Sequence, residues 1–194
     1  MQMSRFEAVV EAVDAENAQD PRHERIAGER VPAELLYSRR MTERMQALYP
    51  DASETLRIAA RAQHIRRWTT PRSGHPEGKA GYHAWRIACR KMHAETVAKI
   101  MAKQGYGQAD IDQVGKLIRN EGLKSDPDSQ RLQNVVGLVF IEHYLEDFAA
   151  DRSDEQLVDI LRKTARKLDA DATGQIARLD LSPRLAGLIA QATR

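Results

Sequence analysis

Aromatic side chains are scarce in this sequence, at 5% of 194 residues, which argues against β-rich architectures that fill their cores with Tyr, Phe and Trp. Cysteine occurs once, at Cys89, which excludes an internal disulfide and any cysteine-rich zinc site. That thiol lies in Ile87-Ala88-Cys89, an apolar helical stretch, and reads as a packed core group before a nucleophile. Nothing approaches the ~18 uninterrupted apolar residues of a membrane span. Met1 to Val13 carries Arg5, Glu7 and Glu11 and has neither the apolar segment nor the small-residue cleavage site of a secretory signal. A soluble, cytoplasmic protein with no membrane partner is expected. Glycine-rich phosphate loops are missing too, since Gly105-Tyr106-Gly107 reads as a turn between helices. No serine sits in a G-x-S-x-G setting, and no H-E-x-x-H pair occurs. A helix-turn-helix reading of residues 108–124 is weak, because its recognition helix would be mainly apolar and acidic.

What the sequence has in quantity is charged, helix-compatible material. Hydrophobic residues at 42% suffice for a core, and 30% charged residues suit helices with wet outer faces. A single all-α helical bundle over residues 1–194 is expected, with no alternating apolar run long enough for a strand. Ser4-Arg5-Phe6-Glu7 is a capping box opening a first helix, with Phe6, Val9, Val10 and Val13 as its apolar stripe. Asp20-Pro21 ends it, and the polar stretch through Gly28 follows. Pro32 suits a first-turn position and opens a second helix, whose apolar residues include Leu35, Leu36, Met41 and Met45. A third helix is expected over about 52–67. The segment 68–81, with Pro71, Gly74, Pro76, Gly78 and Gly81, reads as an ordered loop. Further helices are expected over 82–104, 108–121 and 128–150, the last being the most apolar and the expected centre of the fold. Ser153-Asp154-Glu155-Gln156 is a second capping box, and Ser182-Pro183 opens a final short helix, so residues 153–192 form helices packed on the rest.

Net charge is only +2, yet unevenly spread. From Arg57 to Lys91 nine basic residues face the single acid Glu77, a local +8 that leaves −6 for the remainder. Such asymmetry speaks about partners, not fold. Arg66, Arg67, Arg72 and Arg86 fall in this stretch with Trp68, Tyr82 and Trp85. Guanidinium groups grip phosphate in bidentate fashion and stack on aromatic faces, so the mixture suits a nucleotide, another small phosphorylated ligand or structured RNA. The competing reading is a solvated basic face with snorkelling arginines. Polar residues inside apolar helical runs are the second anomaly, because burying them is costly unless they are paired or bound. His64 ends the small-residue run from Ala59, His93 follows Met92, and Glu142 and His143 interrupt the run from Val135 to Leu145. Taken singly, a helical histidine is more often a hydrogen-bonded core residue than a ligand. Glu142 alone serves equally as an ion-pair partner.

The order of these residues along the helices, Gln63-His64, then His93, then Leu117-Ile118-Arg119-Asn120, then Glu142-His143, resembles the HD superfamily of metal-dependent phosphohydrolases over residues 34–148. The resemblance implies a divergent HD-like core. Tyr37, Gln63 and Arg119 or Asn120 stand where that family carries ligands, whereas His93 and Glu142 hold ligand types in register and His64 is a substitute. It therefore implies at most one divalent metal (Mn, Fe, Ni or Zn) on His64, His93 and Glu142, with His64 and Glu142 catalytic. Arg119 and Lys124 would arrive at the same mouth as the arginine loop. More specifically, Ala62-Gln63-His64-Ile65-Arg66-Arg67-Trp68, Gly81-Tyr82-His83-Ala84-Trp85-Arg86 and Leu138-Val139-Phe140-Ile141-Glu142-His143-Tyr144 are similar to a family known only as domain of unknown function 4202. Two functions follow. One is a metal-dependent phosphohydrolase whose substrate phosphate is bound by Arg66, Arg67, Arg72, Arg86, Arg119 and Lys124 with Trp68 and Tyr82. The other is a non-catalytic nucleotide-, RNA- or anion-binding module on the same scaffold, with a homodimer compatible with either.

Overall fold

A computed structural model describes residues 3–123 and 125–193. The fold is all-α, with a single two-stranded hairpin among the described residues. It comprises two compact units, Met1–Gly122 and Leu123–Arg194. The first holds α1 (Arg5–Asn17), β1 (His23–Ile26), β2 (Glu29–Pro32), α2 (Ala33–Leu48), α3 (Glu54–Arg61), α4 (Gly78–Lys103) and α5 (Gln108–Arg119). The second holds α6 (Pro127–His143), α7 (Leu145–Ala149), α8 (Asp154–Ala165), α9 (Ala170–Ile176) and α10 (Pro183–Ala192).

Local chemistry sets most helix starts. The capping box at Ser4 forms in full, with Glu7 N–H donating to Ser4 Oγ and Glu7 Oε2 accepting from Ser4 N–H; a cap of this kind is worth about 1 kcal/mol. Ser53 accepts from Leu56 N–H to start α3, and Ser153 repeats the capping box at α8. In the first unit α3 packs against α1, α2 and α5, and α4 lies along α5 and α1. Val9, Val13, Met41, Met45, Leu56, Ile58, Val97, Met101, Val114 and Ile118 are fully buried there. Each such side chain stabilises the fold by about 1.5–3 kcal/mol. Arg61 ties three helices: it is 8% exposed, makes a two-pronged ion pair with Asp14 of α1, and donates to Thr42 Oγ1 of α2.

In the second unit α8 packs on α10, and α6 on α7 and α9. The expected helix over 128–150 breaks at Tyr144, whose φ of −127° and ψ of −12° separate α6 from α7. Buried Asn134 donates to Asp169 Oδ2 and accepts from Asp169 N–H, and Asp169 in turn caps α9. Leu168 lies so close to Gly137 that a Cβ there would stand 2.6 Å from Leu168 Cδ2.

Three other departures from the expected elements have physical causes. The polar stretch after Pro21 forms β1 and β2, paired antiparallel with Ile26 opposite Glu29. Ala27 and Gly28, at φ of 49° and 87°, make the two-residue turn whose twist suits a hairpin. Its strands are mostly exposed and charged, so no apolar alternation announces them. Helix α3 stops at Arg61, and Arg67–Thr69 forms a separate 3-10 turn. Helix α4 begins at Gly78, four residues before the expected start, because Gly81 is a point of close approach and not a breaker. A Cβ at Gly81 would stand 1.8 Å from the Pro76 carbonyl oxygen.

Candidate functional site

The chain between α3 and α4 is shaped from α1. Asn17, fully buried at the last position of α1, accepts the Arg66 N–H on Oδ1 at 3.0 Å and donates to Ser38 Oγ at 2.7 Å. Ser38 Oγ in turn donates to the Glu34 carbonyl. This relay holds Arg66 at φ 55°, ψ 27°, a left-handed conformation costing a non-glycine residue about 1–2 kcal/mol. The turn buries Ala62 and Ile65 completely and sends Gln63, His64 and Arg67 to the boundary.

His64, half-buried, is held by three side chains. Its ring stacks on Tyr37 of α2, with centroids 3.9 Å apart and 11° between planes. Glu34 Oε2 lies 3.4 Å from Nδ1, and Arg67 Nη1 lies 2.6 Å from Nε2. A guanidinium only donates, so Nε2 must present its lone pair and Nδ1 must carry the proton toward Glu34. Burial, aided by Arg67, pushes the His64 imidazole down to about 4 against the pull of Glu34. Burial would raise Glu34, but His64 and Arg22 outweigh it and hold the carboxyl at about 2. Arg22 donates from Nη2 to Glu34 Oε1 at 2.7 Å and grips Asp20 with two further bonds, while Asp20 Oδ2 accepts the Glu34 N–H. The acid is thereby fixed at the first turn of α2.

His93 of α4 closes the inner side, its ring 6.0 Å from that of His64. It is 1% exposed, and its Nδ1 lies 2.6 Å from the Ile65 carbonyl, so Nδ1 is the protonated nitrogen. Nε2 is then a bare lone pair, buried without a hydrogen-bond partner among the described residues. Burial first, then His64, pushes His93 down to about 3.

Outside this pair sit guanidinium groups. Arg67 lies over the Trp85 ring at 4.8 Å, and Trp85 Nε1 donates to the Thr70 carbonyl, fixing the loop to α4. Arg86 lies 5.9 Å from the centre of the Tyr82 ring. Burial, with repulsion from Arg86 and Arg67, pulls the Arg90 guanidinium below its usual value. None of Arg67, Arg86 and Arg90 has a carboxylate partner among the described residues. Other basic candidates are already engaged. Arg66 faces Glu16 at 3.7 Å, Arg72 donates to the His75 carbonyl, and Arg119 makes a two-pronged pair with Glu121. Trp68 is half-buried, and Tyr82 is exposed. Lys124 lies outside the described residues. Glu142 belongs to the second unit, half-buried on α6, with Oε2 3.3 Å from His143 Nε2.

The single-metal expectation meets a donor set that does not fit it within the first unit. His64 Nε2 faces a guanidinium, Glu34 is clamped by Arg22, and only His93 Nε2 is a bare donor. Among the described residues no three His, Cys, Asp or Glu stand together to hold an ion. A cation there would also meet repulsion from Arg67 and Arg86.

Sequence reading missed Glu34, Asn17 and Arg22, and did not single out Arg90. Glu34 carries only the signal of an acid in a first helical turn, favourable to the helix dipole in any case. Arg90 lies one helical turn beyond Arg86, and that spacing was the available signal. The model of one family, described as a domain of unknown function (DUF4202), matches residues 7–189. No curated protein and no solved structure matches the chain.

Proposed function

Because the chain belongs to this family of unknown function, DUF4202, we propose from its site chemistry that it binds a phosphate-bearing ligand of nucleotide type at the start of α4, without a metal. Arg67, Arg86 and Arg90 supply the guanidinium donors, and Tyr82, exposed beside Arg86, offers a face for a base. One observation carries the reading: Arg67, Arg86 and Arg90 are half-buried, the first two repel the third, and none has a carboxylate at ion-pair distance among the described residues. Like charges gathered this way repel and destabilise the folded chain, and an entering oxyanion reverses the sign of that interaction. The neutral His64 and His93 add no further positive charge at pH 7.

Calorimetric titration with inorganic phosphate and with a nucleoside monophosphate tests this. Arg67→Ala and Arg86→Ala each remove charge-assisted hydrogen bonds worth about 1.5–3 kcal/mol, so each weakens phosphate binding by roughly ten- to a hundredfold. Arg66→Ala and Arg119→Ala, at residues already facing Glu16 and Glu121, bind as the native chain does. Equal losses in all four variants would reduce the effect to net charge and sink the site. Tighter binding of a short single-stranded RNA than of the mononucleotide would move the ligand class to RNA.

A further inference from the structure

We propose that His64 accepts a phosphoryl group on Nε2, so that the site forms a phosphohistidine from activated donors whose leaving group departs as an anion, such as acyl phosphates. This covalent step presupposes the phosphate-binding reading above. An imidazole nucleophile needs a neutral ring, one free nitrogen, and a partner that holds the proton on the other. His64 has each. Its Nδ1 lies 3.4 Å from Glu34 Oε2, the Tyr37 stack fixes the ring plane, and Nε2 directs its lone pair at Arg67. The side chain is 23% exposed, so the ring lies at the boundary and not inside the core.

Arg67 marks the line of approach. A guanidinium 2.6 Å from Nε2 stands where the phosphorus of an incoming donor must come. Once Arg67 turns onto phosphoryl oxygens, the lone pair is released toward the same group. Arg86, which with Arg67 acts on the His64 ring, and Arg90, which feels both, meet charge on the remaining oxygens.

The step balances without a co-reactant. The Nε2 lone pair attacks phosphorus, the bond from phosphorus to the acyl oxygen breaks, and the carboxylate leaves with the bonding pair, needing no proton. Nδ1 keeps its hydrogen, and the positive charge appearing on the ring is met by the Glu34 carboxylate. Water later attacks phosphorus, the N–P pair returns to Nε2, and inorganic phosphate leaves with the protons of the water. Glu34 is a positioning residue here: it touches His64, while Arg22 and Asp20 keep it in place.

The test is incubation of the full chain with acetyl phosphate at neutral pH, followed by intact mass spectrometry and fragment mapping. One phosphoryl adduct is expected, mapped to His64, lost on brief acid treatment and stable in alkali, as an N–P bond requires. Mapping on the native chain needs no variant to fold. Glu34→Gln should lower the rate of adduct formation by about tenfold at saturating acetyl phosphate, with a smaller change in the concentration giving half the maximal rate, whereas a merely structural role would move neither. A native chain that binds inorganic phosphate yet forms no adduct, or an acid-stable adduct elsewhere, overturns the covalent step and leaves the binding reading standing. A chain that binds no phosphate at all overturns both.

Discussion

Lowering pH from 7.5 to 5 should remove about 4 kcal/mol of folding stability through His64 and His93 alone. Both imidazoles are depressed in the folded chain, to about 4 and about 3 from an ordinary 6.5. Between those values and 6.5 the unfolded chain binds more protons than the folded one, so stability falls as pH falls through that window. At pH 5 both rings are still neutral when folded. The loss is therefore set by the unfolded value: about 1.5 pH units at 1.36 kcal/mol each, or roughly 2 kcal/mol per histidine. That figure does not depend on where below pH 5 the folded values lie. Glu34, held at about 2, titrates beneath the window. Against a typical total of about 5–15 kcal/mol the change is large. Urea denaturation of the native chain and of His64→Gln at the two pH values measures it, and the variant should lose about half of the native chain's pH sensitivity assigned here, whatever the other histidines contribute. Equal stability at pH 7.5 and 5 would mean that these rings charge inside the fold, and the arrangement of Arg67 and Glu34 around His64 would be wrong.

Two further outcomes bear on the loop and on the metal. Gly81→Ala should destabilise by about 2 kcal/mol, because the added carbon meets the Pro76 backbone at 1.8 Å and the gain of roughly 1 kcal/mol in helix propensity does not offset it; a thermal melt at or above the native Tm would refute the close approach. Untagged protein incubated with Mn, Fe, Ni or Zn and then dialysed should hold no stoichiometric metal by mass spectrometry, given that His64 Nε2 faces Arg67 and Glu34 is clamped. Near-stoichiometric metal that disappears in His93→Ala would restore a single-metal centre.

What the sequence made legible, and what it hid, divides by the range of the interaction. Capping boxes at Ser4 and Ser153 and the proline before α2 act over three or four residues, so the starts of α1, α2 and α8 were readable. The 3.6-residue period exposed most of the core, including Leu56, Ile58 and Leu138, and the cost of burying an imidazole flagged His64 and His93 as anomalies. The partners that give those histidines their character come from far along the chain. Asn17 reaches Arg66 across 49 residues, and the His93 ring finds the Ile65 carbonyl across 28. Glu34 meets His64 only because Asp20, Arg22 and the unannounced hairpin set the start of α2 beside that turn. Charge was legible as a total but not as a distribution of free charge. Arg66, Arg119 and Arg90 look alike in a count, yet two of them face carboxylates and the third is pushed against other arginines. A site that recognises an oxyanion is defined by which guanidinium groups lack a partner, and that follows from tertiary pairing alone. The polar anomalies in the sequence therefore pointed to the candidate site, while the engagement of His64 Nε2 by Arg67 and the unpartnered His93 Nε2 follow from tertiary contacts alone.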